Sequence, residues 1–150
     1  MPSEEAEERA AGYVLFAGEA SERKYLILRH RHGGHWGFAK GRAEVGESRL
    51  ETAQREVLEE TGIDSIESVP AFLWISRYAF VRDGRPVDKT VHYYLGRTSD
   101  TSLALSAEHT QAEWLPYDAA RQRLTHLETK RLLDAAEARL SKVGAEQHGR

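Results

Sequence analysis

Residues 41–63, GRAEVGESRLETAQREVLEETGI, constrain the fold of this 150-residue chain more than any other segment. Gly41 and Gly46 bracket a short polar loop, and an uninterrupted run of mostly good helix-forming residues follows it. The pattern predicts a helix that begins near Ser48 and ends at Gly62.

Three glutamates lie on one flank of this predicted helix. At about 100° per residue, Glu56, Glu59 and Glu60 fall within an arc of about 100° beside the apolar face. Like charges at this spacing repel each other by roughly a few tenths of a kcal/mol per pair, and only Arg55 offers compensation. Hard oxygen ligands beside a short loop suit magnesium or manganese. A solvated acidic helix face is the alternative interpretation.

With its fixed positions written out, the segment reads Gly41-x5-Glu47-x7-Arg55-Glu56-Val57-x-Glu59-Glu60-x-Gly62-Ile63. This pattern resembles the complete signature box of the Nudix hydrolases. The resemblance implies an α/β fold, a single-domain Nudix-type α/β/α sandwich around a mixed β-sheet. It also implies metal-dependent cleavage of a nucleoside diphosphate linked to another group, with Mg²⁺ as the cofactor or Mn²⁺ in its place.

The resemblance assigns roles to individual residues. It implies catalytic roles for Glu59, Glu47, Arg55 and Glu108, and metal binding by Glu56, Glu59, Glu60, Gly41 and Glu108. Arg55 has two interpretations: it is a surface i,i+4 partner of Glu59, or its rigid donor fork orients Glu47 and a metal-binding glutamate. Glu47 then assists the metal site and is a candidate acceptor for the proton of the attacking water. Glu108 could instead cap the turn that follows it.

Composition limits the possible partners. The net charge of −3 argues against general binding to nucleic acids or membrane surfaces through an overall positive field. The chain has no cysteine, which excludes disulfides, thiolate metal sites and a cysteine nucleophile. No apolar run approaches the length of a membrane span, and a cytoplasmic location is the default expectation. A small nucleotide is the expected partner.

The predicted elements belong to one domain. Residues 1–9 are expected to be disordered, residues 10–141 to form the domain, and residues 142–150 to be a mobile tail. Apolar runs predict a strand pair at 10–18 and 24–31, a hairpin at 68–81 and 89–98, and a short strand at 113–116; helical spacing predicts a final helix at 125–140.

Outside the box, the chain resembles the asymmetric bis(5'-nucleosyl)-tetraphosphatases, which hydrolyse diadenosine tetraphosphate. The similar segments are HWGFAKG (35–41), KTVHYYL (89–95), LSAEHTQAEWLPYDAA (105–120) and the helix that starts at Leu127. The resemblance implies cleavage to ATP and AMP by water attack at a terminal-side phosphorus, with His35, Lys40 and Lys89 binding phosphate. A histidine packed beside Trp36 and surface lysines are the alternatives.

The base-binding residue departs from the family pattern. Relatives place an adenine-stacking tyrosine seven residues before the lysine that matches Lys89, and this chain has Arg82 there. Tyr78 or Phe80 could stack on the base from a longer hairpin. The evenly spaced aromatic residues could instead form a stripe that faces the core, an interpretation that suits Phe72 and Trp74 at least as well.

Other functions remain open. Another Nudix activity would act on RNA 5' ends, on diphosphoinositol polyphosphates or on oxidised nucleotides. A nucleotide sensor without catalysis or an interaction protein are further alternatives, although every glutamate of the box is present.

Overall fold

The computed structural model describes residues 6–105 and 109–148. Its strands are β1 (Ala6–Ala17), β2 (Lys24–His30), β3 (Trp36–Gly37), β4 (Ala39–Arg42), β5 (Glu67–Ser68), β6 (Trp74–Arg82), β7 (Arg85–Arg97) and β8 (His109–Leu115). Its α-helices are α1 (Arg49–Thr61), α2 (Tyr117–Arg123) and α3 (Leu127–His148). Among the described helices, none is both long enough and apolar enough to cross a membrane.

The strands form one mixed sheet. The central order is β3-β2-β1-β7-β5, while β4 pairs with β1, β6 with β7 and β8 with β2. β1 and β7 run parallel over eleven paired positions, from Ala6 opposite Val87 to Phe16 opposite Arg97, and the other strand pairs are antiparallel. The expected mixed sheet is therefore confirmed.

A hydrophobic core covers each face of the sheet. Strand side chains alternate between the two faces, so that Tyr25 and Ile27 of β2 pack in one core and Leu26 and Leu28 in the other. α2 and α3 close the first core, and α1 closes the second through Ala53, Val57 and their neighbours. The layers are helix, sheet and helix, as the resemblance implied.

Most predicted elements are present with shifted boundaries. The hairpin of β6 and β7 turns at Asp83 and Gly84, both at positive φ. Its first strand begins at Trp74 rather than at residue 68, because residues 67–68 pair separately with β7 as β5. The short helix α2 was not predicted from the sequence.

The expected boundaries of the domain need correction at both ends. Residues 6–9, assigned to a disordered segment, form the start of β1 and pair with residues 87–90 of β7. The backbone hydrogen bonds of a parallel ladder require no apolar side chains, so a charged sequence can continue the strand. At the other end, α3 extends to His148, beyond the expected domain boundary at residue 141.

Candidate functional site

The helix that carries the glutamates is fixed at both ends. Ser48 is the N-cap, and its side chain and that of Glu51 bond reciprocally to each other's backbone N–H groups. Gly62 ends the helix in the left-handed conformation, at φ 80°. These caps set the helix register and hence the direction in which its acidic flank points.

Arg55 connects the loop to the acidic flank of α1. It donates two bonds to Glu47, at 2.7 and 3.0 Å, and one to the backbone carbonyl of Arg42 at 2.8 Å. It also donates to Glu56 at 2.9 Å and to Glu59 at 3.1 Å. Both interpretations of Arg55 are therefore compatible with the structure. Arg55 is an i,i+4 partner of Glu59, and it also fixes the orientation of Glu47.

The pKa of Glu47 is lowered to about 2, chiefly by the hydrogen bonds from Arg55 and also by the backbone N–H of Glu44. Glu47 accepts a further bond from the Thr52 hydroxyl at 2.9 Å. A carboxylate this acidic and this well bonded is a poor proton acceptor at neutral pH. Its geometry suits holding Arg55 in place.

Gly41 leaves space for the carboxylate of Glu56. A Cβ built on Gly41 would overlap the carboxylate of Glu56, so only glycine lets Glu56 lie against this stretch of backbone. Glu59 is exposed, whereas Glu60 is buried, with only 3% of its surface exposed. Every candidate metal ligand in this group is a hard oxygen atom, which fits a divalent cation such as Mg²⁺. Within the described residues, however, no three acidic or histidine side chains already converge on one point.

Lys40 lies between the acidic flank and a row of cations. Burial and the nearby charge of Lys89 lower the pKa of Lys40 to about 8, although Glu60 and Glu8 oppose this shift. Lys89 pairs with Glu8 at 3.0 Å, and Arg82 and Arg42 pair with the same carboxylate at 2.9 and 3.2 Å. Glu8 therefore holds three cations beside Lys40.

A cleft of about 450 Å³ opens on the face of the sheet that carries Lys40 and Lys89. Its lining includes His35, Lys40, Tyr78, His126 and Glu128. The His35 ring stacks on His30 with centroids 4.3 Å apart and lies 5.5 Å from the His126 ring. Burial lowers the pKa of His35, as do His126 and Lys40. The structure thus brings His35 and Lys40 into one cavity.

The aromatic residues in β6 and just before it divide into two groups. Phe72 and Trp74 are partly buried against the core. Tyr78 is 46% exposed, lines the cleft and pairs across the strands with Lys89. Phe80 lies 6.2 Å from the Tyr78 ring and is not part of the cleft lining. Of the two candidates, Tyr78 has the accessible ring.

Three residues of the site were not singled out from the sequence. Glu8 belonged to the presumed disordered segment, and its pairing with Lys89 depends on the parallel register of β1 and β7. His126 and Glu128 precede and begin α3, and Glu128 accepts bonds from Trp74 at 2.9 Å and Ser76 at 3.2 Å. No local sequence pattern signals these long-range contacts. The predicted catalytic residue Glu108 lies outside the described residues.

Comparison with known proteins gives consistent results. The NUDIX domain model matches residues 7–136. The chain is 41% identical over 72% of its length to a proposed mutator protein, MutT4, of Mycobacterium tuberculosis, and it spans 43% of that protein. It is 32% identical over 91% of its length to the asymmetrical bis(5'-nucleosyl)-tetraphosphatase of Sus scrofa, of which it covers 98%.

A solved structure is also similar along almost the whole chain. The binary complex of a C. elegans Ap4A hydrolase superposes with a TM-score of 0.76 at 26% identity, covering 90% of this chain and 98% of the other. Nudix hydrolases act on small nucleotide substrates and generally use divalent metal ions. From the domain match, the box geometry and the fold together, we conclude that this chain belongs to the Nudix hydrolase family.

Proposed function

We propose that this chain is a metal-dependent hydrolase of dinucleoside polyphosphates that converts diadenosine tetraphosphate to ATP and AMP. The observation that carries the proposal is a continuous series of groups that leads from α1, on one face of the sheet, to the cleft on the other face. Lys40 connects the two parts, because the charges of both Glu60 and Lys89 act on it. The series runs from the acidic flank of α1 through Lys40 and Lys89 to a cleft with His35 and an exposed Tyr78. A long phosphate chain with a base at its end matches this order of groups.

The similarity to named tetraphosphatases supports the same substrate. The relatives from Sus scrofa and Rattus norvegicus are 32% and 33% identical and carry that activity in their names. Their alignments cover 98% and 82% of the relatives, so the similarity extends beyond the signature box.

Glu56, Glu59, Glu60 and the Gly41 carbonyl would hold the divalent cation, with Mg²⁺ as our proposal. The bound cation would supply a more acidic water and neutralise phosphate charge in an in-line displacement. Glu59 is the exposed carboxylate of the three and can contact solvent directly.

Glu47 and Arg55 are positioning residues in this proposal. The hydrogen bonds from Arg55 lower the pKa of Glu47, which favours a positioning role for this carboxylate over that of proton acceptor. Arg55 restrains Glu56 and Glu59 at hydrogen-bond distance and thereby keeps these two repelling carboxylates from splaying apart. The carboxylates are then preorganised for the cation.

The cations of the site bind the phosphate chain. Lys40 and Lys89 lie close enough for the charge of one to lower the pKa of the other. A polyphosphate placed between them would relieve that repulsion, and His35 extends the donor set into the cleft. Lys89 would exchange part of its pairing with Glu8 for the substrate.

Tyr78 is the proposed platform for the adenine. Stacking on an exposed ring is worth roughly 1–3 kcal/mol per base. Tyr78 is accessible in the cleft beside the phosphate-binding cations, whereas Phe80 lies outside it.

The similarity to MutT4 favours a second candidate, removal of oxidised nucleotides by hydrolysis of a nucleoside triphosphate. The two functions differ in the number of phosphates and bases that the site must bind.

A substrate panel tests the proposal. We expect kcat/KM for diadenosine tetraphosphate to exceed that for 8-oxo-dGTP and ADP-ribose in the presence of Mg²⁺. Lys89→Ala and His35→Ala should reduce turnover of the tetraphosphate more than that of ADP-ribose, because a two-phosphate substrate cannot engage every cation at once. Lys24→Ala, which changes an exposed lysine at the start of β2, is the matched control. A higher kcat/KM for 8-oxo-dGTP would support the second candidate instead.

A further inference from the structure

Arginines form a row on the face of the sheet that carries α1. Arg9 of β1 and Arg77 of β6 are both aligned with Thr90 of β7, which lies between them. Arg9 alternates with Glu8 along β1, so its side chain points away from the face of the cleft and towards that of α1. Thr90 thus lies between two arginine positions on neighbouring strands.

Arg49, the first residue of α1, completes the cluster from above the sheet. One of its terminal nitrogens, Nη1, is buried without a hydrogen-bond partner among the described residues. Burial and the charge of Arg9 lower the pKa of Arg49. A buried guanidinium nitrogen without an acceptor is unfavourable for stability, which indicates a site for an anion.

These groups line a pocket of about 500 Å³, here called the arginine pocket: Arg9, Arg49, Arg77, Thr90 and His92. Its lining also includes the acidic residues Glu7, Glu8 and Asp88, together with Lys89, Tyr78 and Ala79 of the neighbouring strand positions. Among the described residues, none of the three arginines makes an ion pair, whereas Lys89 and Arg82 nearby are paired with Glu8. With Lys89 the pocket has four cationic side chains against three acidic ones, so it keeps a small positive excess.

The pKa of His92 reflects the positive charges of the arginine pocket. Burial lowers its pKa, and the charges of Arg49, Arg77 and Arg9 lower it further. All three guanidinium groups therefore act on the same imidazole from different elements of the fold. The positive end of the α1 dipole adds to this field at Arg49.

We propose that the arginine pocket binds a small phosphate-bearing anion, in a site separate from the metal-binding glutamates and on the opposite face of the sheet from the cleft. Guanidinium forks match the geometry of phosphate oxygens, and a bound phosphate would supply the acceptor that Arg49 lacks. Thr90 and His92 would complete the donor set. The volume suits phosphate, pyrophosphate or the phosphate end of a nucleotide.

Calorimetric titration of the whole chain with inorganic pyrophosphate, in EDTA, tests the proposal without catalysis. We expect Arg49→Gln and Arg77→Gln each to weaken binding at least tenfold. Arg131→Gln, at an exposed arginine of α3, should leave this binding unchanged. Melting temperatures of the same variants establish that they fold, and Arg77 is exposed, so its replacement should not perturb packing.

NMR titration of His92 against pH locates the anion. Pyrophosphate should raise the His92 pKa, because a bound anion offsets the repulsion from the arginines. The same rise with ADP would assign the site to a nucleotide-borne phosphate, and a rise with pyrophosphate alone would assign it to the free anion; either supports the proposal. Unchanged affinity in both arginine variants, or an unmoved His92 with binding lost in His35→Ala, would overturn it.

Discussion

The ionisation of Lys40 provides a quantitative test of the proposal that Lys40 binds the phosphate chain. Its pKa falls from 10.5 to about 8 through burial and the charge of Lys89, so the cationic form is disfavoured in the folded protein by about 3 kcal/mol. Only the cation binds phosphate strongly. Since kcat/KM reports ionisations of the free enzyme, we expect kcat/KM for diadenosine tetraphosphate to fall as pH rises through about 8.

The variant Lys40→Arg shows whether Lys40, rather than another titrating group, causes the fall in kcat/KM. Arginine stays charged over the accessible pH range, so the fall in kcat/KM near pH 8 should disappear even if the maximal rate is lower. Lys24→Arg, at an exposed lysine, should keep the parental profile. The assay is initial-rate kinetics from pH 6 to 9.5 at saturating Mg²⁺. A parental profile that stays flat through pH 9.5, or an equal fall in Lys40→Arg, would refute the reasoning.

Stability should change in the opposite direction over the same range. Between pH 8 and 10.5 the unfolded chain binds more protons at Lys40 than the folded chain does, so the free energy of unfolding should rise with pH. Relative to Lys40→Arg, the parental protein should gain up to about 3 kcal/mol by the upper end of this window. Urea denaturation at several pH values measures the difference, and a constant difference would contradict the assigned pKa.

Three further predictions concern the glutamates, the arginine fork and the base. Glu59→Gln and Glu60→Gln should each lower kcat by at least about a hundredfold without loss of folding, because removal of one crowded carboxylate relieves repulsion; near-parental rates with Mg²⁺ would exclude the metal site. Arg55→Lys should lower kcat by about tenfold or more while circular dichroism stays parental, since one ammonium cannot reproduce the fork; an unchanged rate would remove its positioning role. Tyr78→Ala should raise KM roughly ten- to hundredfold with little change in melting temperature, whereas Phe80→Ala should leave KM unchanged; the reverse pattern would move the stacking role to Phe80.

The main helices and strands were largely predictable because their signals are local, whereas the sandwich architecture followed from the resemblance to the Nudix family. Glycines, caps and helix-forming residues mark α1, and continuous apolar runs such as Tyr25–Leu28 mark strands buried on both faces. The residues around Arg55 were also accessible from the sequence, since their spacing within a loop and one helix places them together. Helix periodicity placed the three glutamates on one flank, and the resemblance to the signature box added Glu47 and Arg55 to this half of the candidate site.

The other half depends on register between distant strands. Glu8 meets Lys89 because β1 runs parallel to β7, and no pattern in the charged first residues indicates that pairing. Tyr78 and Phe80 follow the same alternation along β6, so periodicity alone could not distinguish the exposed ring from its neighbour. The arginine pocket likewise combines β1, β6, β7 and α1, which only the tertiary structure brings together.

Hydrolysis of diadenosine tetraphosphate at a terminal-side phosphorus determines which product takes up oxygen from water. Mass spectrometry of the products formed in oxygen-18 water, with Mg²⁺, identifies that product. We predict ATP and AMP in equal amounts, with one oxygen-18 atom in AMP and none in ATP. Two molecules of ADP, oxygen-18 in ATP, or no turnover while other nucleotides are cleaved would contradict the account.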